Sequence, residues 1–143
     1  MGSPVAYQTT GNKLSVWLIE ERHSDIQRVI TALAASRDRV SNMDYVTLDY
    51  EVLAGMQIKI QSVVGDTHDK DANERWHRDL TDLSATQVAN LSNAIVAGGK
   101  RARANEKDVI EWIRQAVADG HIERGKLAAN IISKIFPTAR AGN

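Results

Sequence analysis

The sequence predicts an α+β fold: a small β-α-β-β sheet unit followed by a C-terminal helical bundle. Three observations carry this. A short apolar run rich in β-formers precedes a helix-start signal. Two stretches of period-two alternation flank a Leu-Ala-Gly. From residue 71 onward, apolar residues recur at helical spacing.

The elements follow in order. Residues 1–12 read as a flexible N-terminus, without the basic stretch and apolar core of a secretory signal. "KLSVWLIE" (13–20) reads as a buried strand. "SDIQ" (24–27) matches a capping box, in which Ser24 caps and Gln27 reaches back. Ile26, Val29, Ile30, Leu33 and Ala34 then follow helical spacing over 25–37. In 45–64, Val46, Leu48, Tyr50 and Val52 alternate with polar residues, as do Met56, Ile58, Ile60 and Val64. This predicts a hairpin. A three-residue Leu53-Ala54-Gly55 loop keeps one face apolar and puts Gly55 where a left-handed residue is needed. A helix through 46–63 also fits Val46, Leu53, Met56 and Ile60, but central Gly55 and the β-branched content oppose it.

The second part, 71–136, reads as helical. Asp71 with Glu74 predicts a short helix burying Trp76 and Leu80. "SATQ" (84–87) is a second capping box, opening a helix over 85–97 that Gly98 ends. "GGKRARA" (98–104) reads as a basic linker. Asn105 caps a helix over 106–118, and a last helix over 124–136 ends at Pro137. Residues 137–143 form a tail. The predicted organisation is thus a β-α-β-β subdomain over 13–70 and a helical subdomain over 71–136.

Composition narrows the function classes. The chain has 143 residues, is 43% hydrophobic and 25% charged, and has no cysteine. Disulfides, thiolate metal sites and a cysteine nucleophile are excluded. No apolar run reaches the ~18–20 residues of a membrane span, and a cytoplasmic location is expected. Net charge is zero, but unevenly spread. Residues 1–98 hold nine basic and thirteen acidic residues, net −4; residues 99–143 hold nine and five, net +4. Such a split suits a polyanion-facing end, or two ends that attract each other or a neighbouring copy.

"GDTHDKDANERWHRD" (65–79) is the most chemically loaded stretch. Helix capping and i,i+4 pairs (Glu74 with Arg78, Arg75 with Asp79) account for much of it. Asp66, His68, Asp69 and His77 remain as possible ligands for a divalent cation. An EF-hand register starting at Asp69 fails, because Glu74 stands where Gly is required and Leu80 where Glu is required. A PD-(D/E)xK nuclease arrangement would use Asp49 and "QIK" (57–59), with Asp49 opposite Lys59. A cross-strand ion pair explains that pairing equally. Serine-hydrolase, P-loop and dinucleotide-binding motifs are absent, and no cofactor is expected. His23 and His121 read as polar residues at helix boundaries.

The basic end offers the leading functional expectation. The helices 106–118 and 124–136 have the order of a helix-turn-helix. Its last helix would present Lys126, Asn130, Ser133 and Lys134, with Lys100, Arg101 and Arg103 supplying phosphate contacts. "RGKLAANIISKI" (124–135) resembles the end of H-NS-type nucleoid proteins and their actinobacterial counterparts. The resemblance implies that Arg124-Gly125-Lys126 stands as the element that enters the minor groove ahead of a short helix, with Lys126 replacing the usual second Arg. It covers about a dozen residues. The expected function is therefore a small nucleic-acid-binding or regulatory protein. The alternatives are a non-catalytic protein–protein interaction module (inhibitor, adaptor or assembly factor) and, behind it, a metal-dependent hydrolase. An exposed hairpin edge would also permit a homo-oligomer.

Overall fold

The computed structural model describes residues 13–20 and 23–137. The N-terminal stretch 1–12 and the tail beyond Pro137 lie outside the described residues. The element order is β1 (Leu14–Trp17), α1 (His23–Ala35), β2 (Met43–Thr47), α2 (Tyr50–Ala54), β3 (Lys59–Ser62), α3 (Lys70–Arg75), β4 (His77–Thr81), α4 (Ala85–Gly98), β5 (Lys100–Ala104), α5 (Glu106–Ala118), a 3-10 turn (Arg124–Lys126) and α6 (Ala129–Ile135). The α+β class is as the sequence predicts; the strand content is arranged differently.

Contacts divide the described chain into two compact units, each assembled from three separate segments. The first holds 13–18, 44–64 and 76–102; the second holds 19–20, 23–43, 65–75 and 103–137.

The first unit is built on a three-stranded sheet of order β1-β4-β3, antiparallel at both joins. Leu80 of β4 lies between Leu14 and Ile60. Strand alternation puts these three on one face, and they join Ile58, Leu83 and Leu91 in one apolar cluster. Leu48, Leu53, Met56, Val88 and Ile95 pack around it. The capping box at Ser84 forms as predicted. Gln87 N–H donates to Ser84 Oγ at 3.1 Å, and Ser84 N–H donates to Gln87 Oε1 at 2.9 Å.

Three corrections concern the strands. The predicted hairpin over 45–64 does not form. β2 pairs with β5 in a separate two-stranded sheet, and β3 pairs with β4. Between them lies α2, followed by Gly55 in a right-handed conformation (φ −68°). The left-handed residue is Gln57, at φ 56°. The reason is that the alternation in 46–56 also carries helical spacing. Leu53 and Met56 turn to the core, while Tyr50 and Val52 stay exposed. Asp49 therefore sits at the N-cap of α2 and not across from Lys59, which instead meets Asp82 at 3.6 Å. That removes the nuclease-like pairing.

The second correction is that the helix predicted through Trp76 and Leu80 stops at Arg75, and 77–81 is the central strand. Trp76 and Leu80 are i,i+4, so their burial alone could not separate helix from strand. Alternation decides it: Leu80 faces the apolar cluster, and His77 and Asp79 face the opposite side. Asp79 is consequently buried, not available to pair with Arg75 along a solvent face.

The predicted linker 98–104 is also a strand, β5. A tight junction precedes it. A Cβ on Gly99 would lie 2.5 Å from the Ile95 carbonyl oxygen and 2.6 Å from Val46 Cγ1. Gly99→Ala is expected to destabilise by about 1–3 kcal/mol, because a backbone atom must move to admit the methyl group. Thermal unfolding of the variant checks this; a Tm equal to that of the parent chain would refute the close approach.

The second unit is mainly helical. α1 packs on α5 and α3, and α5 packs on α6. Val29 and Ile30, Val109 and Ile113, and Ile131 and Ile135 are buried, following the periodicity read from sequence. Asn105 caps α5, its Oδ1 accepting from Asp108 N–H at 2.9 Å. α1 begins at His23, one residue ahead of the Ser24 expected to cap it. The last helix is shorter than predicted. A 3-10 turn occupies 124–126, and α6 has seven residues.

Candidate functional site

The basic residues come first. In β5, "KRARA", the side chains of Lys100, Arg101 and Arg103 are exposed and only Ala104 is buried. Period two places Arg101 and Arg103 on one side of the strand and Lys100 on the other. Pairing with β2 makes this a fixed ribbon in place of a mobile linker.

The C-terminal residues are arranged less like a DNA-reading helix than the sequence suggests. α5 and α6 are joined by ten residues, 119–128, where a helix-turn-helix uses a turn of ~3–4. Arg124 stacks on Phe136, its guanidinium carbon 4.2 Å from the ring centroid. Lys134 pairs with Glu106 at 3.2 Å. Asn130 and Ser133 are exposed on α6, with Ser133 Oγ donating to the Asn130 carbonyl at 3.2 Å. Lys126 lies in the 3-10 turn, on the wall of a cleft described below. The eight residues are divided between the units. Lys100 and Arg101 count with the first, and Arg103, Arg124, Lys126, Asn130, Ser133 and Lys134 with the second.

The 65–79 stretch resolves into two structural roles. Its first half builds a buried polar network in the second unit. Thr67 N–H donates to Asn73 Oδ1 at 3.1 Å, and Asn73 Nδ2 donates to the Thr67 carbonyl at 2.8 Å. Asp69, 1% exposed, caps α3 by accepting from Ala72 N–H at 3.0 Å. The cap is thus Asp69, two residues before the Asp71 expected. Its carboxylate is held bidentately by Arg28 of α1, at 2.8 and 3.1 Å. Arg28 also reaches Asp71 at 3.2 Å, and Asp71 pairs with Arg75 at 3.2 Å. The hydrogen bond and charge of Asp69 hold the Arg28 guanidinium above the usual arginine range, against the opposing effect of burial.

The second half lies in the first unit. His77 Nδ1 is 2.7 Å from the Val63 carbonyl oxygen; a carbonyl only accepts, so Nδ1 carries the hydrogen. Nε2 lies 3.8 Å from Asp79 Oδ1, beyond hydrogen-bond reach. Trp17 meets the imidazole edge-on at 5.0 Å between centroids. Ser15 Oγ donates to Asp79 Oδ1 at 3.4 Å, so the hydroxyl serves the carboxylate and not the imidazole. Of the four residues considered as metal ligands, His77 is engaged here in the first unit, whereas Asp66, His68 and Asp69 belong to the second. Among the described residues, no group of three or more His, Asp or Glu side chains is placed to hold a metal ion.

What the sequence did not reveal is a polar cleft of about 250 Å³ in the second unit. It is lined by Arg28, His68, Lys70, His121 and Lys126, together with the carboxylates Asp69, Asp71 and Glu123. Three segments meet there: α1, the 68–71 turn into α3, and the 120–126 connection. No local signal points to it, because Arg28 and Asp69 are 41 residues apart. His121, read as a helix-boundary residue, is on its wall.

Comparison with protein-family models, curated proteins and solved structures finds no match. No described helix is long and apolar enough to cross a membrane.

Proposed function

We propose that this is a small nucleic-acid-binding, regulatory protein whose contact surface is the basic strand β5. The observation that supports the reading is the exposure of Lys100, Arg101 and Arg103 along one ordered five-residue strand. A two-stranded ribbon is narrow enough to enter a major groove, and successive cations at strand spacing meet successive phosphates. The ten-residue α5–α6 connection and the engaged Arg124 and Lys134 argue against a recognition helix. The reading therefore rests on phosphate contact, without base specificity.

Its test is fluorescence anisotropy with short duplex DNA at about 50 and 200 mM salt. Two phosphates neutralised by Lys100 and Arg101 predict roughly a 12-fold loss of affinity between these conditions. Arg101→Ala with Arg103→Ala should lower the slope of log K against log salt by about 0.9, through the loss of Arg101. Absence of binding at the lower salt, or an unchanged slope in the double variant, removes the proposal.

A second reading, a protein-interaction module, has its own support. Val46, Tyr50, Val52, Val64 and Val96 are large apolar residues exposed by 41–66%, and all five belong to the first unit. Exposed large apolar groups of this number on one small unit suit a protein partner. Association through them would be insensitive to salt and to the Arg101 and Arg103 changes.

A further inference from the structure

We infer that the cleft of the second unit binds a small phosphate-bearing anion. The argument rests on which lining groups are already committed. Both oxygens of Asp69 are taken by Arg28, and one also accepts from Ala72 N–H. Asp71 is bridged by Arg28 and Arg75. These two carboxylates are therefore neutralised by guanidinium groups and present little net negative charge to the cleft.

The uncommitted groups are of the opposite kind. Lys70 and Lys126 are exposed at the rim, and among the described residues neither is in an ion pair. His68 and His121 add two imidazoles, whose rings carry N–H donors. Only Glu123 opposes them. Two ammonium groups and two imidazoles against one carboxylate select an acceptor-rich anion.

The walls are held in place. His68 N–H donates to Ser36 Oγ at 3.1 Å, which fixes one wall to the end of α1. His121 N–H donates to the Ala116 carbonyl at 2.9 Å, and Lys126 N–H to the Glu123 carbonyl at 3.1 Å, which fix the other. Gly120, at φ 80°, makes the turn that brings His121 back toward α5. A volume of about 250 Å³, below the ~300–1,000 Å³ typical of drug-sized ligands, suits an anion the size of phosphate or a small phosphate monoester. No residue of β5 takes part, so the inference stands apart from the nucleic-acid reading.

The test uses the full chain in calorimetric titrations with inorganic phosphate and with glycerol phosphate, near neutral pH. Saturable binding is expected, weakened about tenfold or more by Lys70→Ala with Lys126→Ala and unaffected by Arg101→Ala with Arg103→Ala. The side-chain NMR signals of His68 and His121 should shift with the same saturation curve. Lack of saturable binding, an equal response of the Lys70/Lys126 variant, or stationary imidazole signals would overturn the inference. So would full competition by short duplex DNA together with loss of DNA affinity in the same variant. That outcome would assign the cleft to nucleic-acid phosphates.

Discussion

Replacing Arg28 with Met is expected to destabilise the protein by about 3–5 kcal/mol. The substitution keeps an unbranched apolar stem but removes the guanidinium, leaving the Asp69 carboxylate, 1% exposed, without its cation. Removing one partner of a buried pair costs far more than the pair itself contributes, because the remaining charge is left buried without its partner. The loss should spread. Asp69 also caps α3 and stands beside the Thr67–Asn73 network, so the turn at 66–69 and the first turn of α3 should loosen together. Arg28→Lys restores charge but not the two-pronged geometry, and should recover only part of the loss. Asp71→Asn, at a side chain 51% exposed, should cost less than about 1 kcal/mol. The guanidinium is held above the usual arginine range, so its own contribution is fully present below that range and is lost only above it. Urea unfolding of the three variants ranks them, and a loss below that of Asp71→Asn for Arg28→Met would show the pair to be dispensable.

Leu80→Ala should cost about 2–5 kcal/mol, through lost transfer energy and the cavity left in a core that cannot fully collapse. Leu80 is fully buried and lies between Leu14 of β1 and Ile60 of β3. The pattern of loosening matters more than its size. With 77–81 as the central strand, amide exchange should accelerate in Leu14–Trp17 and Lys59–Ser62 at once, because both edge strands hydrogen-bond to it. If 77–81 continued the α3 helix, 14–17 would be indifferent to the change. Protection lost in one flanking strand alone would contradict the β1-β4-β3 order.

The candidate sites differ in how far they could be read from the chain. The exposure of Lys100, Arg101 and Arg103 follows from their chemistry, since strongly hydrated cations stay at the surface. Their strand conformation does not. A five-residue run with two alanines has no local preference strong enough to choose between linker and strand, and pairing with β2 supplies the choice. The cleft was illegible for another reason. Its groups come from residues 28, 68–71 and 120–126, and only the packing of α1 against α3 and α5 draws those segments together.

By itself the sequence determined the elements whose signals are local. α4 and α5 are set by side-chain caps at Ser84 and Asn105 and by a 3.6-residue apolar stripe, all of which act within one or two turns. The α+β class and the exclusion of cysteine chemistry were equally available from residue types. Tertiary structure alone decided the strand partners. Leu53, Met56, Trp76 and Leu80 satisfy helical spacing, and Leu80 satisfies strand alternation too, so periodicity left the choice open. It was settled where β4 could bury Leu80 between Leu14 and Ile60 while giving His77 the Val63 carbonyl and Asp79 the Ser15 hydroxyl. A strand's hydrogen-bond partners lie elsewhere in the chain, and a helix's lie four residues away; that difference in range separates what could be read from what had to be seen.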